Sequence, residues 1–280
     1  MALALGEWGD QDRQVPELPE VEVTRRALEG WLAGRQILSA QSEPSARNTN
    51  LSELPGRQVT SVSRRGKYLL FGLIPRDLEL VVHLGMTGGF RTAPSKHTRV
   101  TLVAEGLTLY FHDPRRFGRL CLVPAGDYRS LATLSHMGPE PLGGAFELDR
   151  FAEQARRAGM VKPWLLSQKP VAGLGNIYCD EALWQARLHP AQRGLTYTEA
   201  GSLHRAITSV LSRAVELGGS TLSDHSYQQP DGEPGYFQLE HRVYGRSGLP
   251  CPRCGQLVAK IRLAGRGTHL CPGCQKLRDS

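Results

Sequence analysis

Four of the six cysteines fall into one pattern. Cys251 and Cys254 form C-x2-C, sixteen residues intervene, and Cys271 and Cys274 repeat the spacing, each pair enclosing a proline that favours a tight turn. Four thiolates so arranged satisfy the tetrahedral demand of Zn2+, and the quartet predicts one structural zinc ion. A disulfide framework is the alternative; it suits short secreted domains better than a chain of this length in a reducing compartment. Cys121 and Cys179 stand in apolar or helical surroundings and are expected to be buried bystanders. Two other groupings could do chemistry. Glu17 and Glu20 follow Pro16 in PELPEVE, where acids favour the start of a helix. Gly173, Gly175 and Asn176 make a glycine-rich turn before a helix, whose backbone N–H groups could receive a phosphate. That turn is no dinucleotide fingerprint, because no strand precedes it and its third glycine position is Tyr178.

Charge names the kind of partner. Lysine and arginine outnumber acids 34 to 27, a net charge of +7. From His241 onward eight Lys or Arg face one acid, Asp279, so the tail alone accounts for the excess and a polyanion is the expected ligand. No apolar run approaches the length of a membrane helix, and Glu7, Asp10 and Asp12 stand where a secretory signal would be basic and then apolar. A cytoplasmic monomer is expected.

The elements that must position these groups change character along the 280 residues. Lys67 to Ile74, Leu78 to Leu84, Thr98 to Val103, Leu107 to Phe111 and Arg119 to Val123 are short, apolar or alternating, and divided by turn residues, which predicts a β-sandwich or barrel. A helix over Glu20 to Ala33, with Val21, Leu28, Trp31 and Leu32 on one face, flanks it. After a Gly/Pro-rich crossing at Met137 to Gly144 the period becomes helical. Thr196 and Glu199 form a capping box that opens a helix with a stripe of Leu203, Ile207, Val210, Leu211, Ala214 and Leu217, ended by Gly218. Residues 220 to 235 form a polar loop long enough to call for a function.

PELPEVE is followed in order by RRGKYLL (64–70), HLGMTG (83–88), DPRRFG (113–118), GPEPL (138–142), KPWLL (162–166), GLGNIY (173–178), PGYF (234–237), VYGR (243–246) and the cysteine quartet. Together these resemble the formamidopyrimidine-DNA glycosylase family of bacterial 8-oxoguanine repair enzymes, nearly end to end. The resemblance implies an α+β chain. It comprises a β-sandwich with its flanking helix (16–137), a helical helix-two-turn-helix domain with a lesion loop (138–235) and a zinc finger (236–280).

It further implies a base-excision enzyme that removes oxidised purines from duplex DNA and cuts the abasic site by β,δ-elimination. The secondary amine of Pro16 would attack the sugar C1′ and Glu17 would handle protons, assisted by Glu20, with Lys67 on the phosphate beside the lesion. Met86, Arg115 and Phe117 would fill the gap left by the extruded nucleotide, Arg115 reading the widowed cytosine. His83, Lys162, Asn176 and Arg266 would contact DNA, the last from a finger whose zinc does no chemistry. Fifteen residues precede Pro16, and as an internal residue its nitrogen would be a tertiary amide without a nucleophilic lone pair. The expectation is that residues 1–15 are a mis-assigned extension, that Val15 is the true initiator, and that removal of methionine frees Pro16. An endonuclease VIII-like enzyme for oxidised pyrimidines and a non-catalytic zinc-finger DNA binder are the alternative readings.

Overall fold

The computed structural model describes residues 16–222 and 227–278; the expectations for residues 1–15 and for the middle of the polar loop fall outside these. Helix α1 (Leu18–Leu32) begins two residues before the expected start. Pro19 sits in its first turn, and the Glu20 carboxylate reaches back to accept Glu17 N–H at 2.9 Å, as the acid of a capping box does.

A β-sandwich follows. One sheet orders β2 (Asn48–Thr49), β9 (Arg119–Pro124), β5 (Leu78–His83), β4 (Tyr68–Ile74) and β3 (Gln58–Arg65). The other orders β1 (Ile37–Ser42), β7 (Thr98–Ala104), β8 (Leu107–His112) and β6 (Gly89–Arg91). The five expected segments are strands; β1, β3 and the short β2 and β6 were not expected. Leu69, Phe71, Leu80, Val82, Phe90, Leu102, Leu109 and Phe111 fill the space between the sheets. The register sets the working end of the sandwich: Tyr68 pairs with His83 and His83 with Arg119, so the β3–β4 turn, the loop after β5 and the loop before β9 emerge together.

The short α2 (Ala132–Ser135) packs Leu134 on the outer face of the five-stranded sheet, and the helical half holds α3 (Leu148–Arg156), α4 (Val161–Leu166), α5 (Asn176–Gln185) and α6 (Tyr197–Glu216). The Thr196/Glu199 box caps α6 as expected, and Gly218 turns the chain away at φ +74°. Helix α1 serves two cores: Leu18 packs with the α5 and α6 side chains, whereas Val21, Leu28 and Leu32 pack into the sandwich. The residues just before and within its first turn therefore lie at the junction of the two halves. The finger is a hairpin of β10 (Ala259–Leu263) and β11 (Arg266–Leu270). Among the described residues no helix is long and apolar enough to cross a membrane.

Candidate active site

Pro16 and Glu17 lie buried in this junction. The Glu17 carboxylate caps α5 rather than its own helix: Gly175 N–H donates to Oε2 at 2.7 Å, Ile177 N–H to Oε1 at 2.9 Å and Tyr178 N–H to Oε2 at 3.4 Å. The amides that the glycine-rich turn was expected to offer a phosphate are thus already filled, by a carboxylate that the same helix dipole favours. Glycine is needed there because a Cβ on Gly175 would fall 2.2 Å from the Glu17 carboxyl carbon. Burial raises the Glu17 pKa, opposed by the nearby Lys67 charge and by the three amides. Glu20 is fully buried and accepts Glu17 N–H at 2.9 Å, Ser220 N–H at 2.8 Å and the Tyr178 hydroxyl. Burial first and the Glu17 charge second push it up to about 7.

Lys67 occupies the β3–β4 turn, half-buried, and its pKa is lowered by desolvation against the pull of Glu17 and Glu20. The turn is clamped from the far side by Glu140, which accepts Gly66 N–H at 2.6 Å, Arg64 at 2.6 Å and Arg65 at 3.1 Å, while Arg64 also reaches Glu22 at 3.1 Å. His83 packs on Tyr68 with ring centroids 4.7 Å apart, and its Nδ1 accepts Gly85 N–H at 3.1 Å, which leaves Nε2 as the hydrogen-bearing nitrogen of the neutral ring. Burial and then the charge of Lys67 push its pKa down to about 4, so the ring is neutral at pH 7.

The side chains expected to replace the extruded nucleotide share one support. Buried Asp113 accepts the Thr87 hydroxyl at 2.7 Å and Gly118 N–H at 2.7 Å, and Thr87 Oγ1 in turn accepts Arg115 N–H at 3.2 Å. This ties the loop of Met86 to the loop of Arg115 and Phe117. The two backbones touch so closely that a Cβ on Gly85 would lie 2.5 Å from Gly118 N. Phe117 stands 41% exposed, with the Arg115 guanidinium 5.2 Å from its ring centre. Arg115 keeps a buried Nη1 without a hydrogen-bond partner. Arg116, by contrast, is held by Glu43 at 3.0 Å.

The finger reaches the same place. Asn176 Nδ2 and Lys162 Nζ both donate to Gly267 O at 3.1 Å, which fixes exposed Arg266 close enough for its charge to act on Lys67. One expectation is corrected here: Lys162 is 1% exposed, paired with Asp180 at 2.6 Å and bonded to Thr268 Oγ1 at 2.9 Å, so it cannot grip a phosphate. It pins the finger to α5 instead. Removing one partner of a buried pair leaves the other charge uncompensated, so Lys162→Met should lose about 3–5 kcal/mol of stability in urea unfolding. A loss under 1 kcal/mol would show that the pair does not hold the finger down.

The four cysteine sulfurs lie within 4.8 Å of one another, with Cys251–Cys274 at 3.9 Å and Cys254–Cys271 at 3.4 Å. Those separations match the edge of a tetrahedron drawn about a zinc ion, about 3.8 Å for Zn–S bonds of about 2.3 Å, and far exceed an S–S bond. The residues fit one structural zinc.

The chain matches three family models: the formamidopyrimidine-DNA glycosylase N-terminal domain over residues 15–120, its H2TH domain over 137–226, and the zinc finger found in FPG and IleRS over 248–277. A formamidopyrimidine-DNA glycosylase of Deinococcus radiodurans is 54% identical over 94% of this chain and 98% of its own length. The chain belongs to the formamidopyrimidine-DNA glycosylase family. Another such glycosylase, from Thermus thermophilus, is 55% identical over 93% of this chain and 98% of its own length.

Solved structures of formamidopyrimidine-DNA glycosylases agree in fold. The MutM (Fpg) protein from Thermus thermophilus superposes with a TM-score of 0.90 at 54% identity, over 94% of this chain and 100% of that one. A Lactococcus lactis Fpg in complex with DNA containing an abasic site gives 0.84 at 38% identity, over 93% of this chain and 99% of the other. Beyond the residues expected of a formamidopyrimidine-DNA glycosylase, the site depends on several to which the sequence attached no role. Asp113, Glu140, Asp180 and Glu181 are half-buried or buried acids that accept hydrogen bonds from the backbone or side chains of distant segments. Two adjacent acids, Asp180 and Glu181, inside the otherwise apolar α5 were the available signal.

Proposed function

We propose that this chain excises oxidised purines from duplex DNA through the secondary amine of Pro16 as mature N-terminal residue, and then cleaves the abasic site. The observation that carries this reading is the Glu17 carboxylate, one residue from Pro16, buried on the amides of α5 beside Lys67. Nitrogen attacks C1′ as the glycosidic bond breaks, and the base leaves with the proton that the amine gives up on forming its new bond. Glu17 delivers a proton to O4′ as the sugar ring opens and a Schiff base forms; loss of the C2′ proton then expels the 3′ phosphate, and a second elimination expels the 5′ phosphate. Lys67, His83 and Arg266 present donors to the phosphates, while Met86 and Phe117 refill the stack and Arg115 hydrogen-bonds the unpaired base. Zinc supplies only the shape of the finger.

Borohydride trapping on a duplex containing 8-oxoguanine tests the reading. The expected product is one covalent adduct per chain, attached to a peptide that begins at Pro16. An active enzyme whose intact mass retains residues 1–15, or an adduct at another residue, would overturn it. The phosphate contacts make a separate prediction: Lys67→Ala and Arg266→Ala should each reduce the slope of log affinity against log salt by about 1, uniformly across sequences. Unchanged slopes would remove both from the interface.

A further inference from the structure

Glu20 is the end of a buried polar chain. Its Oε1 accepts the Tyr178 hydroxyl; Tyr178 Oη lies 3.2 Å from Ser220 Oγ, and Ser220 Oγ lies 3.2 Å from His241 Nε2. Tyr178 and Ser220 are completely enclosed and His241 is 7% exposed. The members come from four segments: α1, α5, the first residue of the polar loop, and the residue that closes the short 3-10 turn Phe237–Glu240. A tyrosine hydroxyl has a single hydrogen, and here it goes to Glu20, so Tyr178 Oη is left to accept in its contact with Ser220 Oγ; the His241 ring, which also hydrogen-bonds the Tyr244 backbone, closes the far end of the chain against Ser220 Oγ. The other carboxylate oxygen of Glu20, Oε2, accepts Glu17 N–H, the amide adjoining Pro16.

We propose that Tyr178, Ser220 and His241 are positioning residues: their chain keeps Glu20 an ionised acceptor, and Glu20 thereby holds the Pro16–Glu17 peptide, and the nucleophile it carries, in place. The proposal rests on the function assigned above. It gives the start of the lesion loop a line of contact to the nucleophile, because Ser220 bonds Glu20 through its N–H and meets the chain through its hydroxyl. Backbone geometry supports the placement, since Gly219 at φ +83° would put a Cβ 2.7 Å from Glu20 Oε1.

Protonated Glu20 is a weaker acceptor for three converging donors, so catalysis should fall as pH drops through its titration near 7. Other ionisable groups face the chain. Glu17 and Lys67 act on Glu20, and Tyr227 lies within reach of its charge, while His269 and Arg246 act on His241, itself pushed down to about 4 chiefly by burial and therefore neutral throughout. A donor lost from the carboxylate raises its pKa. Single-turnover excision of 8-oxoguanine between pH 5 and 9 should therefore show the acid limb displaced upward by about one unit in Tyr178→Phe, and by about half a unit in Ser220→Ala and His241→Phe. His241→Gln, whose side-chain amide can reach the same position, should restore the limb. A purely structural role would lower the rate equally at every pH and leave the limb unmoved, and that result in the variants that fold would overturn the proposal. Trapping of wild-type enzyme on abasic DNA separates the two claims: no adduct defeats the assigned function, whereas an adduct with unmoved limbs defeats the chain alone.

Discussion

Glu17→Gln should lower single-turnover excision of 8-oxoguanine by about 10^2–10^4-fold, the span that a positioned general acid or base contributes. The substitution preserves size but reverses the hydrogen-bond sense at one oxygen. Gly175 and Ile177 N–H groups point at opposite oxygens, so whichever way the new amide turns, its NH2 faces a backbone donor. The variant loses both the transferable proton and the fixed orientation. Gly175→Ala separates these effects, because its Cβ, 2.2 Å from the Glu17 carboxyl carbon, must displace the carboxylate without removing it. Misplacement by about 1 Å costs on the order of 10^2-fold, so the alanine variant should fall short of the glutamine one. Quenched-flow or hand-mixed rates on a lesion duplex and on a preformed abasic site provide the comparison. A glutamine variant within tenfold of wild type on the lesion would exclude Glu17 as the proton carrier.

What could be read in advance divides along sequence distance. The capping box of α6 is written in Thr196 and Glu199, three residues apart, and the zinc ligands in two short repeats, so both were legible. The strands flanking Gly and Pro turns were legible for the same reason. Strand β3 was not, because only Val59 and Val62 of its eight residues are buried and the other six are polar, which leaves no apolar run to detect. Lys162 was misassigned because Asp180 and Thr268, its partners, lie 18 and 106 residues further on and meet it only once the finger has docked on α5. Glu17 shows the same limit. Acids behind a proline were compatible with helix capping, and Glu17 does cap a helix, but one that starts 159 residues later at Asn176. Tertiary structure decides which helix end receives the charge.

Removing zinc should abolish DNA binding while leaving most of the chain folded. The hairpin of β10 and β11 has a small core of its own, with Val243, Val258 and two of the ligands, Cys251 and Cys271, as its buried members. A cluster that small cannot offset the conformational entropy of the segment, so the metal bonds must supply the difference, and zinc-finger peptides draw about 10–16 kcal/mol from them at neutral pH. The sandwich and the helical core are larger and contain no metal ligand, so they should survive. Without the hairpin, Gly267 O no longer meets Lys162 and Asn176, and Arg266 is no longer held beside Lys67. Loss of binding should therefore exceed that of Arg266→Ala, because the whole ordered hairpin proposed to meet the phosphates disappears together with its arginine. Chelation under mild denaturant should release one zinc per chain, eliminate detectable binding to a lesion duplex, and be reversed by added Zn2+. A finger held by disulfides would ignore the chelator and fail on reduction, and that outcome would replace the metal in this account.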